Sequence, residues 1–403
     1  MVHDPIRQLK YFRQNLAQNK KSIGFFIAAG CPLSIGKNGK PWTEENKKTW
    51  KPLIPDIKGL TIAISKKLKA DKEYLKLQKE LVKAGKDKEN IEDVLSFIRA
   101  LNLVAEGGDV RGLSSTNLTK LELDICEIIS DLIDVELPNE STPYHKIVSW
   151  INSTNRVKPI DIFTTNYDLL MEKSLENSSV PYFDGFVGSS EAFFDLRAVE
   201  ENLIPEHWAR LWKIHGSINW KKNEKNEVVR ISNPKEIKSN LIYPSHLKYD
   251  ESRKMPYLAL IDKLSVFLKS DPSLLIVCGY SFSDDHLNYC MLNALKSNPT
   301  ANIIALLHGP LSKYTKAIAL AENKRHNLSL WAFDEAIIGA VRGKWEIPNT
   351  NNLEEDEVYQ HSIKTSALVE HADKSMSVKL GDFQVIGNYL QSLIGQELEE
   401  DKK

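Results

Sequence analysis

Short runs of consecutive apolar residues recur along the chain, and stretches with helical periodicity lie between them. The runs occupy residues 22–28, 160–164, 211–214, 241–243, 274–278, 303–307 and 328–331. Near-continuous apolar strands separated by helices are typical of a parallel sheet that is covered on both faces. We therefore predict an α/β fold built on a doubly wound, Rossmann-like parallel sheet.

A different pattern fills the interval between the first two runs. Ile91, Val94, Leu95 and Ile98 follow the i, i+3, i+4, i+7 spacing of an amphipathic helix. We therefore predict an all-helical insertion at residues 61–151, after the first strand. The sheet domain would then comprise residues 1–60 and 152–345, and residues 346–403 would form a linker with a small strand–helix tail.

Composition narrows the functional classes. The 403 residues are 42% hydrophobic and 27% charged, and 53 Lys+Arg against 54 Asp+Glu give a net charge of -1. This balance is typical of a folded globular protein and argues against strong direct binding to nucleic acid or to an anionic membrane. Because we find neither a signal-peptide pattern nor an apolar run of membrane-spanning length, we expect a cytoplasmic protein.

Metal chemistry is not favoured by the sequence. The four cysteines are far apart and no two have CxxC spacing, whereas a structural zinc site needs ligands in close pairs. Asp284, Asp285 and His286 could suggest a metal site, but adjacent residues at the start of a helix diverge. We expect no metal.

Candidate chemistry lies where the predicted strands end, since ligands of open parallel sheets bind at the carboxyl ends of the strands. After the first strand, small residues at Ala29, Gly30 and Cys31 could let backbone amides approach a pyrophosphate, and Ser34 could add a hydroxyl. The alternative is a glycine turn that serves packing alone. The spacing from Gly30 to Lys37 does not fit the phosphate loop of nucleoside triphosphatases.

The next two strands end in further polar residues. Thr165, Asn166 and Asp168 follow the second run, and the Asn166 carboxamide could hold a ribose hydroxyl or an attacking water. Alternatively, the Thr and Asp residues cap the following helix. His215 follows the third run and could accept a proton, or it could be a structural hydrogen-bonding residue.

The strand at 274–278 is followed by Gly279, Ser281 and Asp284. An acidic side chain at this edge could bind ribose hydroxyls. The alternative is that Asp284 caps the helix that follows.

Taken together, the motifs FFIAAGC (25–31), LIPDIKGL (53–60), FTTNYD (163–168), KIHGSINW (213–220) and CGYSFSDDH (278–286) resemble the sirtuin superfamily over roughly residues 20–340. The chain is most similar to its divergent bacterial branch of NAD-consuming defence proteins, and within it to the sirtuin-like partner of HerA-type hexameric DNA translocases. The resemblance implies a homo-oligomeric NAD+ hydrolase that acts with a HerA-type ATPase in anti-phage defence.

The resemblance also implies residue roles. Asn166 and His215 match the catalytic asparagine and histidine. Ala29, Gly30, Cys31 and Ser34 would lie near the phosphates of NAD+, Gly279 and Ser281 near the adenosine ribose, and Thr165, Asp168 and Asp284 would complete the nucleotide site.

Two departures from the family pattern shape the functional prediction. The first glycine of the loop is Ala28 here, and the loop serine is displaced. The zinc ribbon of protein-deacylating sirtuins is absent, which favours hydrolysis of NAD+ over deacylation. An NAD-dependent deacylase and a non-catalytic subunit that binds ADP-ribose are the alternatives.

Overall fold

A computed structural model of the chain describes residues 1–43, 45–46, 48–154, 156–232, 255–270, 272–323, 327–348, 353–371 and 375–395. The strand predicted at 241–243 lies outside these residues. Most other predicted strands are confirmed to within two residues at each end.

A ten-stranded sheet forms the centre of the structure, and seven neighbouring strands of it run parallel. Its strands, in spatial order, are Val2–His3, Val341–Trp345, Glu335–Ile338, Leu328–Trp331, Asn302–Leu306, Ser273–Cys278, Ser22–Ile27, Ile160–Thr164, Ala209–Lys213 and Tyr182–Phe183. The predicted fold class, a doubly wound parallel sheet, is confirmed. Strand Ser22–Ile27 lies at the point where the strand order reverses, which is where open α/β sheets bind ligands.

Smaller sheets and helices surround this centre. A second sheet contains Trp220–Lys222, Val228–Ile231, Glu191–Phe194 and Phe186–Val187, and two-stranded pairs join Asp109–Val110 to Leu113–Ser114 and Leu368–Glu370 to Met376–Val378. The α-helices are Pro5–Ala17, Ile57–Lys67, Lys72–Lys83, Ile91–Ala105, Ser115–Ile133, Pro143–Ser153, Leu170–Asn177, Leu196–Glu200, Tyr257–Lys269, Asp285–Ser297, Thr315–Glu322, Glu357–Lys364 and Phe383–Ser392. Short 3₁₀ helices occupy Pro32–Ser34, Leu311–Lys313 and Leu353–Glu355.

The sheet is buried on both faces because successive side chains of a strand point to opposite sides. Phe25 and Ile27 pack on one face, with the helices of the insertion, and Phe26 packs on the other with the helices Tyr257–Lys269 and Asp285–Ser297. All six residues of Ser22–Ile27 are buried. This double burial explains why the strand is a continuous apolar run in the sequence.

The helical insertion begins earlier than predicted. Its first helix, Ile57–Lys67, spans the boundary that we expected at residues 60 and 61. Asp56 caps this helix, since its Oδ1 accepts a hydrogen bond from the Gly59 N–H at 2.7 Å. The IPDIKGL segment is thus both the end of the first loop and the start of the insertion.

The C-terminal residues pack against the sheet domain. Helix Glu357–Lys364 follows the acidic stretch. The last helix, Phe383–Ser392, belongs to the expected strand–helix tail and lies on helix Pro143–Ser153. The rings of Tyr144 and Phe383 are 5.1 Å apart in an edge-to-face arrangement. A few buried residues thus suffice to dock this short helix.

Gly381 provides a test of this docking. A Cβ atom at this position would overlap the Leu307 carbonyl group, so the tail fits here because residue 381 has no side chain. We expect Gly381→Ala to reduce the free energy of unfolding by about 1–3 kcal/mol, as overpacking does in other cores. Thermal denaturation measures the effect. Gln384→Ala, in the adjacent helix, is the control and should change stability by less than about 0.5 kcal/mol.

Candidate functional site

Four neighbouring strands end level with one another. The register pairs Cys278 with Ile27, Ile27 with Thr164, and Thr164 with Lys213, and each of these residues is the last of its strand. The segments that follow therefore emerge along one edge of the sheet. This edge borders a cavity of about 280 Å³.

The cavity has a polar side formed by these segments. Its lining includes eight of the eleven predicted site residues: Ala29, Thr165, Asn166, Asp168, His215, Gly279, Ser281 and Asp284. The remaining three, Gly30, Cys31 and Ser34, do not line it. The predicted catalytic pair therefore lies in one cavity.

The three remaining residues pack the loop behind the cavity wall. The Gly30 N–H donates to the Gly279 carbonyl at 3.0 Å, and a Cβ atom on Gly30 would lie 2.8 Å from the Gly279 Cα. Gly279 adopts a φ of +67°, which favours glycine. Cys31 is fully buried, and the Ser34 hydroxyl donates to the Cys31 carbonyl at 2.8 Å. The two glycine turns thus allow the first and fourth segments to touch.

His215 lies beside a carboxylate. Its Nε2 is 3.4 Å from Asp284 Oδ2, and the side chains are 18% and 12% exposed. The other oxygen of Asp284 accepts hydrogen bonds from the N–H groups of His286 and Leu287, both at 3.1 Å. The helix cap is therefore present, and it holds the carboxylate next to the imidazole.

Asn166 is buried at the end of the second strand. Its Nδ2 donates to the Ala28 carbonyl at 3.3 Å, and its N–H donates to Thr164 Oγ1 at 3.0 Å. Thr164 Oγ1 in turn donates to the Ile27 carbonyl at 2.7 Å. These contacts orient the carboxamide relative to the first strand.

Asp168 also caps a helix, and its carboxyl group is buried. Oδ1 accepts from the Leu170 N–H at 3.0 Å, so helix Leu170–Asn177 begins one residue later than predicted. Burial raises the pKa of Asp168 from 3.8 to about 6, while the Lys213 ammonium and the Leu170 N–H act in the opposite direction. Charge at this position is therefore costly to the folded protein.

The opposite side of the cavity comes from the insertion and the segment that leads into it. Seven aliphatic residues share this wall: Ile54, Ile57, Leu60, Ile91, Leu95, Ile129 and Ile133. Glu92 and Asp56 are the acidic residues beside them. Sequence reasoning missed this wall, because the same periodicity predicts a helix whether its apolar face meets a core or a cavity.

Tyr167 and Ser283 also line the cavity and were not predicted. Both fall within motifs that we quoted, FTTNYD and CGYSFSDDH, next to residues that we did select. Among the residues that the structure describes, no group of three or more His, Cys, Asp or Glu side chains is placed to hold a metal ion. In the same residues, no helix is long and apolar enough to cross a membrane.

A part of the chain that contributes to this site matches a known protein family. Residues 161–329 match the family model described as a SIR2-like domain. This part of the chain is similar to that family. The matched SIR2-like segment contains three of the four strand ends that border the cavity, with Asn166, His215 and Gly279.

One similar solved structure is described as "Structural Basis for the Mechanism and Regulation of Sir2 Enzymes". It is 16% identical to this chain, with a TM-score of 0.34, and the match covers 75% of this chain and 85% of the other. No curated protein matches the chain.

The raised pKa of Asp168 gives a testable pH dependence. A buried carboxyl whose pKa rises from 3.8 to about 6 destabilises the folded state when ionised, so its cost is absent below about pH 4 and complete above about pH 6. Asparagine keeps the oxygen that accepts from Leu170 but has no charge. We expect Asp168→Asn to raise the melting temperature by a few degrees at pH 8 and to match the wild type near pH 4. If Asp168→Asn and the wild type had the same melting temperature at pH 8 as well as near pH 4, this expectation would be contradicted.

Proposed function

We propose that this protein hydrolyses NAD+ at the bond between nicotinamide and ribose. The observation that carries the proposal is the meeting of Asn166, His215 and Asp284 in one cavity of a chain that is similar in part to the SIR2-like family. An orienting amide and a base with its own carboxylate are what such a hydrolysis requires.

The two sides of the cavity suit the two kinds of surface in the substrate. Hydroxyls, carboxylates and an amide line one side, and they would bind ribose hydroxyls and the nicotinamide carboxamide. Aliphatic side chains line the other, and they would contact the flat ring and limit the access of water. Thr165, Asp168, Gly279 and Ser281 are the predicted nucleotide-binding residues on the polar side.

The chemistry needs no metal and no strong acid. As the glycosidic bond breaks, positive charge develops on the ribose C1′, and nicotinamide leaves as a neutral molecule. Water adds its oxygen to C1′ and releases one proton, which His215 accepts. Asp284 stabilises the imidazolium that results, and Asn166 holds the ribose or the water in position.

Removal of either central side chain tests the assignment. We expect Asn166→Ala and His215→Ala to lower the rate of nicotinamide release from NAD+ by about 10²–10⁴-fold, since general base and positioning effects have this size. Circular dichroism should show that both variants are folded. Wild-type rates in both variants would place the chemistry elsewhere.

The carboxylate behind His215 can be tested separately. Asp284→Asn keeps an oxygen for the His286 and Leu287 N–H groups but removes the charge, so we expect about a 10-fold lower kcat with the fold intact. The matched control is Asp382→Asn. Asp382 caps another helix in the same way, through the Gln384 N–H at 2.9 Å. Its replacement should leave kcat unchanged, and an equal loss in both variants would show that the cap alone matters.

Product analysis separates the alternatives. Mass spectrometry should find ADP-ribose and nicotinamide from NAD+ alone. Formation of O-acyl-ADP-ribose from an acylated peptide would instead indicate a deacylase, and binding of ADP-ribose without turnover would indicate a non-catalytic subunit.

The biological setting that we propose rests on the resemblance of the sequence motifs. In this proposal, the protein is a homo-oligomeric effector of anti-phage defence, and it depletes NAD+ together with a HerA-type hexameric ATPase. Co-purification with such an ATPase, followed by NAD+ consumption with and without it, tests this part. A chain that neither binds the ATPase nor responds to it would refute the partnership and leave the hydrolase proposal standing.

A further inference from the structure

We propose that Lys213 is a positioning residue that holds the Asn166 segment in register with the His215 segment. The geometric part of this inference is independent of the reaction, whereas its consequence for turnover rests on the proposed function. Lys213 lies outside the cavity lining, and nothing in the chemistry above uses it.

Lys213 makes three contacts with the second strand's loop and helix. Its Nζ donates to the Asp168 carbonyl, to Glu172 Oε1 at 2.7 Å and to the Tyr167 carbonyl at 3.4 Å. An ammonium group has three donors, so these acceptors account for all of them. The side chain is 1% exposed. It therefore connects the last residue of the third strand to the main chain immediately after Asn166.

The main chain between Thr164 and Leu170 needs such a connection. It has left the sheet ladder but has not entered the helix, and the Asp168 carboxylate, which accepts from the Leu170 N–H, cannot donate to carbonyl oxygens. Buried carbonyl oxygens in this interval must find donors elsewhere. Those donors come from the segment around His215: Lys213 on one side, and on the other the Ile218 N–H, which donates to the Tyr167 carbonyl at 3.0 Å.

A buried ion pair is a poor means of stabilisation, which makes a positioning role the better account. Glu172 has a side chain that is 10% exposed, and removing such a pair from water costs about as much as the attraction returns. Apolar residues of similar volume would fill the space at equal or better stability. They could not bind the carbonyls of Tyr167 and Asp168.

The same strand offers a matched control. Arg210 lies near the start of strand Ala209–Lys213, whereas Lys213 ends it. Arg210 is also 1% exposed and also donates to main-chain carbonyls. Its acceptors are Ile204, Pro205 and Trp208, in a loop that does not border the cavity. Arg210→Met therefore removes a buried cation and its carbonyl contacts without touching the Asn166 segment.

The test replaces the ion pair as a unit. Lys213→Met combined with Glu172→Leu removes both members of the ion pair. The buried Asp168 carboxyl, which Lys213 also faces, can take up a proton, so the protein should fold, as circular dichroism and thermal denaturation will show. Hydrogen–deuterium exchange then reports directly on whether Lys213 keeps the main chain after Asn166 in place. We expect faster exchange confined to residues 165–169 in the double variant, and faster exchange confined to 204–208 in Arg210→Met.

Turnover provides the second readout. We expect the double variant to release nicotinamide with a kcat about 10–100-fold lower and a KM for NAD+ within about 3-fold of the wild type, because small displacements of reacting groups have effects of this size. Arg210→Met should keep the wild-type kcat per folded molecule. Lys213→Arg is the second variant if the double variant fails to fold. Its planar guanidinium cannot repeat the three-way contact, so faster exchange at 165–169 is again expected.

Wild-type exchange at 165–169 in a folded variant would overturn the proposal. So would accelerated exchange with unchanged kcat, since the hold would then have no bearing on catalysis. A wild-type protein that releases no nicotinamide would instead refute the proposed function, and the exchange data would still decide whether Lys213 holds the segment.

Discussion

The site depends on the in-register ending of four parallel strands. Because Cys278, Ile27, Thr164 and Lys213 are paired side by side, the four segments that follow begin from one line. Hydrogen bonds then join the segments across the gaps: Asn166 to Ala28, Gly30 to Gly279, and Ile218 to Tyr167. The backbone ladder sets the positions, and the loop contacts set the orientations of the side chains.

Burying polar side chains along one side of the cavity costs free energy, and hydrogen bonds to these side chains offset part of that cost. Two carboxylates on this side also lie at helix starts, and one oxygen of each accepts main-chain hydrogen bonds. Asp168 caps Leu170–Asn177, and Asp284 caps Asp285–Ser297. A residue that serves a helix and a site at once is constrained in two ways. From the sequence, Asp168 and Asp284 could either cap a helix or belong to a ligand site. The structure shows that the two positions coincide, since both residues lie at a helix start and line the cavity.

Periodicity and apolar runs were sufficient to predict the parallel sheet, the helical insertion and the strand ends that border the cavity. The principle that ligands bind at those ends brought Asn166, His215 and Asp284 into view. The same principle could not separate residues that face the cavity from residues that pack behind it. Gly30, Cys31 and Ser34 also follow a strand end, yet they do not line the cavity.

What sequence could not provide was contact between elements far apart in the chain. The aliphatic wall from Ile57, Ile91 and Ile129 is indistinguishable from a helix core until the helices are docked. The strand–helix end of the tail was predicted, but the pattern did not show where it docks, and Phe383 packs against Tyr144. Lys213 was not predicted to have a role, since a lysine at the end of a strand is ordinarily expected to reach solvent.

The central strand carries a consequence for synthesis of the chain. Ser22–Ile27 is made before both of its neighbours, Ile160–Thr164 and Ser273–Cys278, so both of its edges remain unpaired until these later segments emerge. Such long-range pairing is slow and must wait for the chain. His215 meets Asp284 only after the fourth segment has been made. A nascent chain therefore has no assembled site until that segment has been made.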